Sequence, residues 1–220
     1  MARRKLSDDV DPYAEIAAYY LDRFARPADP PWKDLPWEPV RIGPTWQQDS
    51  DHWRMPERSL GLKVLCFCGR WLKHETGEGK PWRFTDEQAR FIMWWYAVDA
   101  DGRFTYRDGV LQRLKGWGKD PVGACLMFAE AFGPCRFDGW DGVRPVARDV
   151  PNAWVQTAAV SLEQTKNTMR LFPAIITDEA VQRFRIQIGK ERIYGLGGSR
   201  LIQAVTSAPK TLEEIGRAHV

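Results

Sequence analysis

Cysteine is scarce in this chain: Cys66, Cys68, Cys125 and Cys135 are the only four in 220 residues. So few, so unevenly spread, make no disulfide scaffold. Cys66, Cys68 and His74 have no second ligand pair at a zinc-like spacing, and Cys66-Phe67-Cys68 reads as one face of an apolar segment, which sets zinc aside. A dominant charge is also lacking. The 32 Lys and Arg against 29 Asp and Glu leave a formal +3, a balance that permits a nucleic-acid partner without arguing for one. No run is long and apolar enough to cross a bilayer, and the first residues carry no apolar leader. No internal repeat is visible. A reducing cytoplasm is the expected compartment.

What the chain does have is a globular composition, with 44% hydrophobic and 28% charged residues, enough for a sizeable core in one large domain or a domain with an extension. Tryptophan is unusually common, with 11 residues, many of them early: Trp32, Trp37, Trp46, Trp53, Trp71, Trp82, Trp94 and Trp95. Beside prolines these read as packing anchors in rigid loops rather than as a base-stacking platform. The stretch from Ala25 to Glu57 carries Pro27, Pro30, Pro31, Pro36, Pro39, Pro44 and Pro56 and reads as a linker or wrapped arm. Residues 1–59 are accordingly set apart from a domain over 60–214.

The patterning predicts a helix over Ser7–Phe24 and another over Ser59–Trp71. Glu75–Lys80 is a Gly-rich turn. Thr85 caps a helix from Asp86 to about Val98, with Phe91, Ile92, Trp94 and Trp95 buried. Asp101-Gly102-Arg103 is a turn, and Thr105–Leu114 contains a strand with a hairpin turn at Asp108-Gly109. Pro121–Phe132 is a helix. Trp154–Val160 is a strand, Ser161–Phe172 a helix, Ile186–Ile188 and Arg192–Tyr194 a strand pair, and Leu201–Thr206 a last strand. Strands alternating with helices imply an α/β domain with a largely parallel sheet.

The stretch with chemistry in it runs from Val110 to Asp120: Val-Leu-Gln-Arg-Leu-Lys-Gly-Trp-Gly-Lys-Asp, followed by a helix. A strand, a glycine-bearing loop with Gly-Lys, then a helix is the layout of a phosphate-binding loop. Glycines let backbone N–H groups turn toward phosphates, the helix N-terminus adds positive potential, and the lysine reaches the outer phosphates. The match to GxxxxGK[ST] departs twice: Arg113 stands at the first Gly and Asp120 at the final Ser/Thr. A plain Gly-rich turn opening a helix, with Lys119 solvated, is the alternative reading.

Four ordered segments resemble the large terminase subunits of tailed bacteriophages, above all those of actinobacterial phages. Phe84-Thr85-Asp86-Glu87-Gln88 is similar to the family's adenine-contacting segment. Arg113 to Asp120 is similar to its variant phosphate loop, with Lys115 at the basic position before the conserved lysine. Ala158-Ala159-Val160-Ser161-Leu162-Glu163-Gln164-Thr165, continued by Asn167-Thr168-Met169, resembles its next strand-to-helix motif. Arg200-Leu201-Ile202-Gln203-Ala204-Val205-Thr206-Ser207 resembles the strand before its second acidic motif. The resemblance spans about residues 60–213.

That resemblance implies a P-loop NTPase-like fold and a motor that uses ATP and Mg²⁺ to drive double-stranded DNA into a capsid. It also implies a separate nuclease domain, a homo-oligomeric assembly, the small terminase subunit and the portal protein as partners, and work in the host cytoplasm at the procapsid. It places Lys119 and Lys115 in catalysis. Gln88 goes to adenine, and Lys115, Gly116, Trp117, Gly118, Lys119 and Asp120 to the phosphates, with Asp120 also at the metal. For Gln88 a polar helix-start role stands beside the base-reading one, and for Ser161 and Gln164 capping stands beside coupling. Arg170, Arg183, Arg185 and Arg192 read as solvated surface more than as DNA contacts.

The family's acidic strand, with its metal-orienting Asp and water-activating Glu, is expected just after Ser207 and does not follow, so the chain is expected to bind nucleotide and hydrolyse it negligibly. Ile215-Gly216-Arg217-Ala218-His219-Val220 equals the translation of a run that resembles a common sequencing-adaptor read and is expected to be a non-native tail on an N-terminal fragment, with a short basic tail as the alternative. The rival readings are a non-catalytic interaction module and a helicase-like ATPase.

Overall fold

The computed structural model describes residues 12–26, 55–76, 79–113, 115–159 and 162–206. The Pro/Trp-rich arm over 27–54, Ser161, and the tail with its six terminal residues lie outside the described residues, as do the side chains of Leu162, Glu163 and Gln164.

The first helix, α1 (Pro12–Ala25), turns Ile16 and Tyr20, one helical turn apart, inward. Both join the main core, so α1 packs on the same body as the residues after 60. The buried Tyr20 hydroxyl accepts the Phe84 N–H at 3.0 Å, so its burial leaves no polar group stranded.

The central helix is α2 (Gly61–Trp71), apolar on nearly every side, with Val64, Leu65, Cys66, Phe67, Cys68 and Trp71 buried. It packs against α1, α3 and α4, which is why an all-round apolar sequence is stable here. Gly61 is required at one crossing: a Cβ there would lie 2.7 Å from the Met93 Cα.

Helix α3 (Asp86–Trp95) starts where the sequence says, with Thr85 and Gln88 forming a reciprocal capping box and two acids in the first turn. It stops at Trp95, short of the expected Val98. Ala97 and Val98 instead form bridges to Ser59 and Phe104, so local strand pairing wins over helix continuation. Phe91 and Ile92 are buried, whereas Trp94 and Trp95 are only partly so. Asp99 accepts the N–H groups of Asp101 and Arg103, each at 2.9 Å, and fixes the expected turn at Gly102.

No strand forms over 105–113. Val110 is 88% exposed, and a Cβ on Gly109 would meet the Trp95 ring at 2.2 Å. The segment is therefore anchored on Trp95 and has too few apolar side chains to seat it in a sheet.

Helix α4 (Lys119–Phe132) begins two residues ahead of Pro121 and buries Val122, Cys125, Phe128, Ala129 and Phe132. A hairpin absent from the sequence reading follows, β1 (Arg136–Asp141) and β2 (Arg144–Arg148), with a bulge between Phe137 and Gly139. Strand β3 (Trp154–Ala159) leads to α5 (Leu162–Met169) and α6 (Phe172–Ile175). The expected single helix over 161–172 breaks here, with Pro173 opening α6. Helix α7 (Asp178–Phe184), capped by Thr177, was not expected.

The strands β4 (Gln187–Ile188), β5 (Arg192–Gly195) and β6 (Arg200–Thr206) complete a sheet in the order β3-β6-β5-β4. Only β3 and β6 run parallel. The β5–β6 and β4–β5 pairs are antiparallel, so the sheet is mixed rather than largely parallel. Their connections are too short for a crossover, and Gly197 and Gly198, both at positive φ, turn the chain straight back into β6. Helices α4 and α5 pack on β3 and β6. Ile193, Ile202 and Ala204 join Phe132, Phe172 and Phe184 in the core.

Candidate functional site

The loop entering α4 is held by three separate devices. Gly116 and Gly118 take left-handed conformations, φ +90° and +91°, which an L side chain adopts only at a cost. Lys119, half-buried, reaches back across the loop, and its Nζ donates to the Arg113 carbonyl at 2.7 Å. The third device is α3. Its Glu87 accepts the Arg113 Nε–H at 2.6 Å and the Trp117 indole N–H at 2.8 Å. The neighbouring Gln88 donates its Nε2 to the Trp117 carbonyl at 3.0 Å. Two adjacent residues at the start of one helix thus hold both ends of a loop some thirty residues on.

Lys115 and Asp120 are exposed, as is Gly116, while Trp117, Gly118 and Lys119 are half-buried. The residues singled out from the sequence therefore lie together, and Gln88 is joined to the loop directly. Gln88 is 8% exposed, with Oε1 accepting the Thr85 N–H at 3.1 Å and Nε2 donating to the Trp117 carbonyl, so both ends of the carboxamide are engaged by backbone.

Asp120 sits in the first turn of α4, where the helix dipole favours a carboxylate. Among the described residues no group of three or more His, Cys, Asp or Glu is placed to hold a metal. A lone carboxylate suits Mg²⁺ only where phosphate oxygens complete the shell, so Asp120 alone makes no metal site. Cys66 and Cys68 lie buried on α2, and His74 stacks on Trp82 at 4.9 Å. Arg170, Arg183, Arg185 and Arg192 are exposed.

Beside the loop lies an open cleft of about 640 Å³. Its walls are Tyr19 and Arg23 of α1, the Arg83–Glu87 segment, and Trp117. Trp117 belongs to both features. Tyr19 and Arg23 were missed in the sequence because they precede the arm, some hundred residues from the loop. Among the described residues no helix is long and apolar enough to cross a membrane.

Comparison with known proteins gives phage relatives. The chain is 39% identical to the Gene 13 protein of Mycobacterium phage L5, covering 81% of this chain and 34% of that protein. It is 38% identical to the Gene 13 protein of Mycobacterium phage D29, with the same coverage of 81% and 34%. The chain therefore spans about a third of the length of the curated relatives it matches. No family model and no solved structure matches it.

Proposed function

We propose that this chain is the nucleotide-binding part of a phage DNA-packaging motor, the large terminase subunit, and that its loop binds the phosphates of ATP. The observation that carries the reading is Lys119. Its ammonium spans the loop to the Arg113 carbonyl at 2.7 Å, at the N-terminus of a 14-residue helix. It thus puts a positive charge over a loop whose glycines bend the backbone, at a helix end that favours anions.

A P-loop NTPase-like arrangement finds support in the later strands, although the strand that should lead into the loop does not form over 105–113. Strand β3 passes directly toward α5, and β6 lies beside β3 and parallel to it, the order the resembling segments require. In this reading Lys119 exchanges the Arg113 carbonyl for phosphate oxygens. Exposed Lys115 adds charge from the solvent side, and Asp120 offers an oxygen to Mg²⁺ alongside the phosphates. Mg²⁺, when bound, neutralises phosphate charge. Double-stranded DNA, the small terminase subunit and the portal protein belong to the whole motor in this proposal, as does its homo-oligomeric assembly at the procapsid.

The test is titration of the chain with ATP and Mg²⁺, followed by calorimetry. Saturable binding that is lost in Lys119→Ala supports the reading. Equal binding by wild type and Lys119→Ala, at unchanged thermal stability, sinks it.

A further inference from the structure

We infer that the open face of the four-stranded sheet binds single-stranded nucleic acid, with the Trp154 ring stacking on a base and Arg192 meeting the phosphate backbone. None of these residues belongs to the phosphate loop, so the inference stands apart from the reading of that loop.

The sheet has two unlike faces. Register and alternation put Ile193, Ile202 and Val155 in one row, on the side where Ile193 and Ile202 join the core. Helix α4 lies on that side: a Cβ on Gly195 would meet the Phe132 ring at 2.3 Å. The same register puts Tyr194, Leu201 and Trp154 side by side on the other face, with Arg192, Gln203 and Gln156 in the next row. This second face is open. Trp154 is 47% exposed. Arg192 is exposed, and Tyr194, Leu201, Gln203 and Gln156 are only partly buried. Among the described residues of the strands, Val205 alone is buried on this side, near the end of β6.

The chemistry of the open face suits unpaired bases. The isoleucines of the sheet, Ile188, Ile193 and Ile202, all share the covered face. The open one carries the rings of Trp154 and Tyr194, the amides of Gln156, Gln187 and Gln203, the Arg192 guanidinium, and no carboxylate. A protein partner would bury an apolar centre here. Unpaired bases instead take π-surface for their faces, amides for their edges and a cation for their phosphates.

Trp154 has stacking surface to offer. Its indole N–H donates to Gln203 Oε1 at 3.3 Å, which orients the ring from its edge, and no ring or guanidinium among the described residues stacks on it. Tyr194 stands two strands away, about 10 Å along the row, with the Arg192 guanidinium 3.5 Å from its hydroxyl. The face continues into an open groove of about 590 Å³ along the β4–β5 hairpin, where Gln187, Lys190, Arg192 and Tyr194 form part of the wall. Glu191 also lines this groove, but it lies 3.9 Å from Lys166 of α5. Lys190 and Arg192 therefore leave the groove positive, the sign a phosphate backbone requires.

The experiment is fluorescence anisotropy with a labelled oligothymidylate of about ten nucleotides, an abasic strand of the same length and the matching duplex, all at one salt concentration. Wild type should bind the oligothymidylate more tightly than either of the others. Trp154→Ala should weaken that binding about tenfold at unchanged thermal stability, and Trp154→Phe, which keeps a ring, should restore it. Arg192→Gln should weaken the oligothymidylate and the abasic strand alike. The inference fails if wild type does not bind, if Trp154→Ala binds as tightly as wild type, or if the abasic strand or the duplex binds as well as the oligothymidylate. It fails too if light scattering shows a wild-type dimer that Trp154→Ala dissolves, because the face is then a contact between copies of this chain. Each of these failures leaves the phosphate-loop reading where it stood.

Discussion

Gln88 donates its side-chain Nε2 to the main-chain carbonyl of Trp117 at 3.0 Å, across 29 positions of sequence. The same side chain closes the capping box of α3 through Thr85. One carboxamide therefore couples the start of a helix to the shape of a loop. Gln88→Met keeps the volume and removes both hydrogen bonds. It should cost about 1–2 kcal/mol of stability, since it removes half a capping box and strands a half-buried carbonyl. It should also weaken ATP and tripolyphosphate alike, because the loop itself loosens. Chemical denaturation and paired titrations read this out. Loss of ATP binding alone, at wild-type stability, would show that Gln88 contacts the base after all.

The two loop glycines are not equivalent. Both have left-handed φ, but a Cβ on Gly118 would sit 3.2 Å from the Gln88 Nε2, whereas one on Gly116 has nothing within 4 Å. Gly116→Ala should cost about 1 kcal/mol in backbone strain alone. Gly118→Ala should cost more, because it also displaces the Gln88 amide from Trp117. Urea midpoints of the two variants decide it. A Gly118→Ala variant as stable as Gly116→Ala would mean that Gln88 yields without loss.

Much of this was legible in the sequence because it is local. Thr85 with Gln88 three positions later announces the start of α3, and Thr177 with Asp178 and Glu179 carries the same kind of signal for α7. That second signal went unread in a short helix. The β1–β2 hairpin is hidden for a physical reason: Gly139 and a bulge break its alternation, and its burial is slight. Val110 and Leu111 read as a strand, yet the chain there is fastened by Gly109 beneath Trp95 instead. The loop glycines and Lys119 could be found from their spacing. The Glu87–Arg113–Trp117 clasp and the Tyr19 wall could not, because their partners lie far apart in sequence and only tertiary packing brings them together.

All four cysteines are buried, and desolvation raises the thiols of Cys68 and Cys125 well above their usual range and pushes Cys135 up to about 12. The reactive thiolate is thus nearly absent in the folded state. The native protein should resist a thiol-specific disulfide reagent at neutral pH and react at four sites on unfolding. Prompt stoichiometric labelling of any cysteine in the native state would contradict the core described here. A slow labelling rate that follows denaturant concentration would report global opening instead.

Arg70 near the end of α2 grips Glu179 in the first turn of α7 with two hydrogen bonds, one of them 2.7 Å, and its guanidinium lies 4.3 Å from the Trp71 ring centroid. The hydrogen bonds from Arg70 hold the Glu179 carboxyl below its ordinary value. With the folded value depressed, the stabilisation is complete above the unfolded value, about 4.3. It is lost as pH falls through the folded one. The carboxylate is well exposed, with 58% side-chain accessibility, so the pair contributes about 1 kcal/mol at most. Glu179→Gln should therefore be slightly less stable than wild type at about pH 7, with a smaller difference at about pH 3. Urea midpoints at the two pH values check this. A stability difference that persists unchanged in acid would mean that Glu179 acts through packing or the α7 cap and not through its charge.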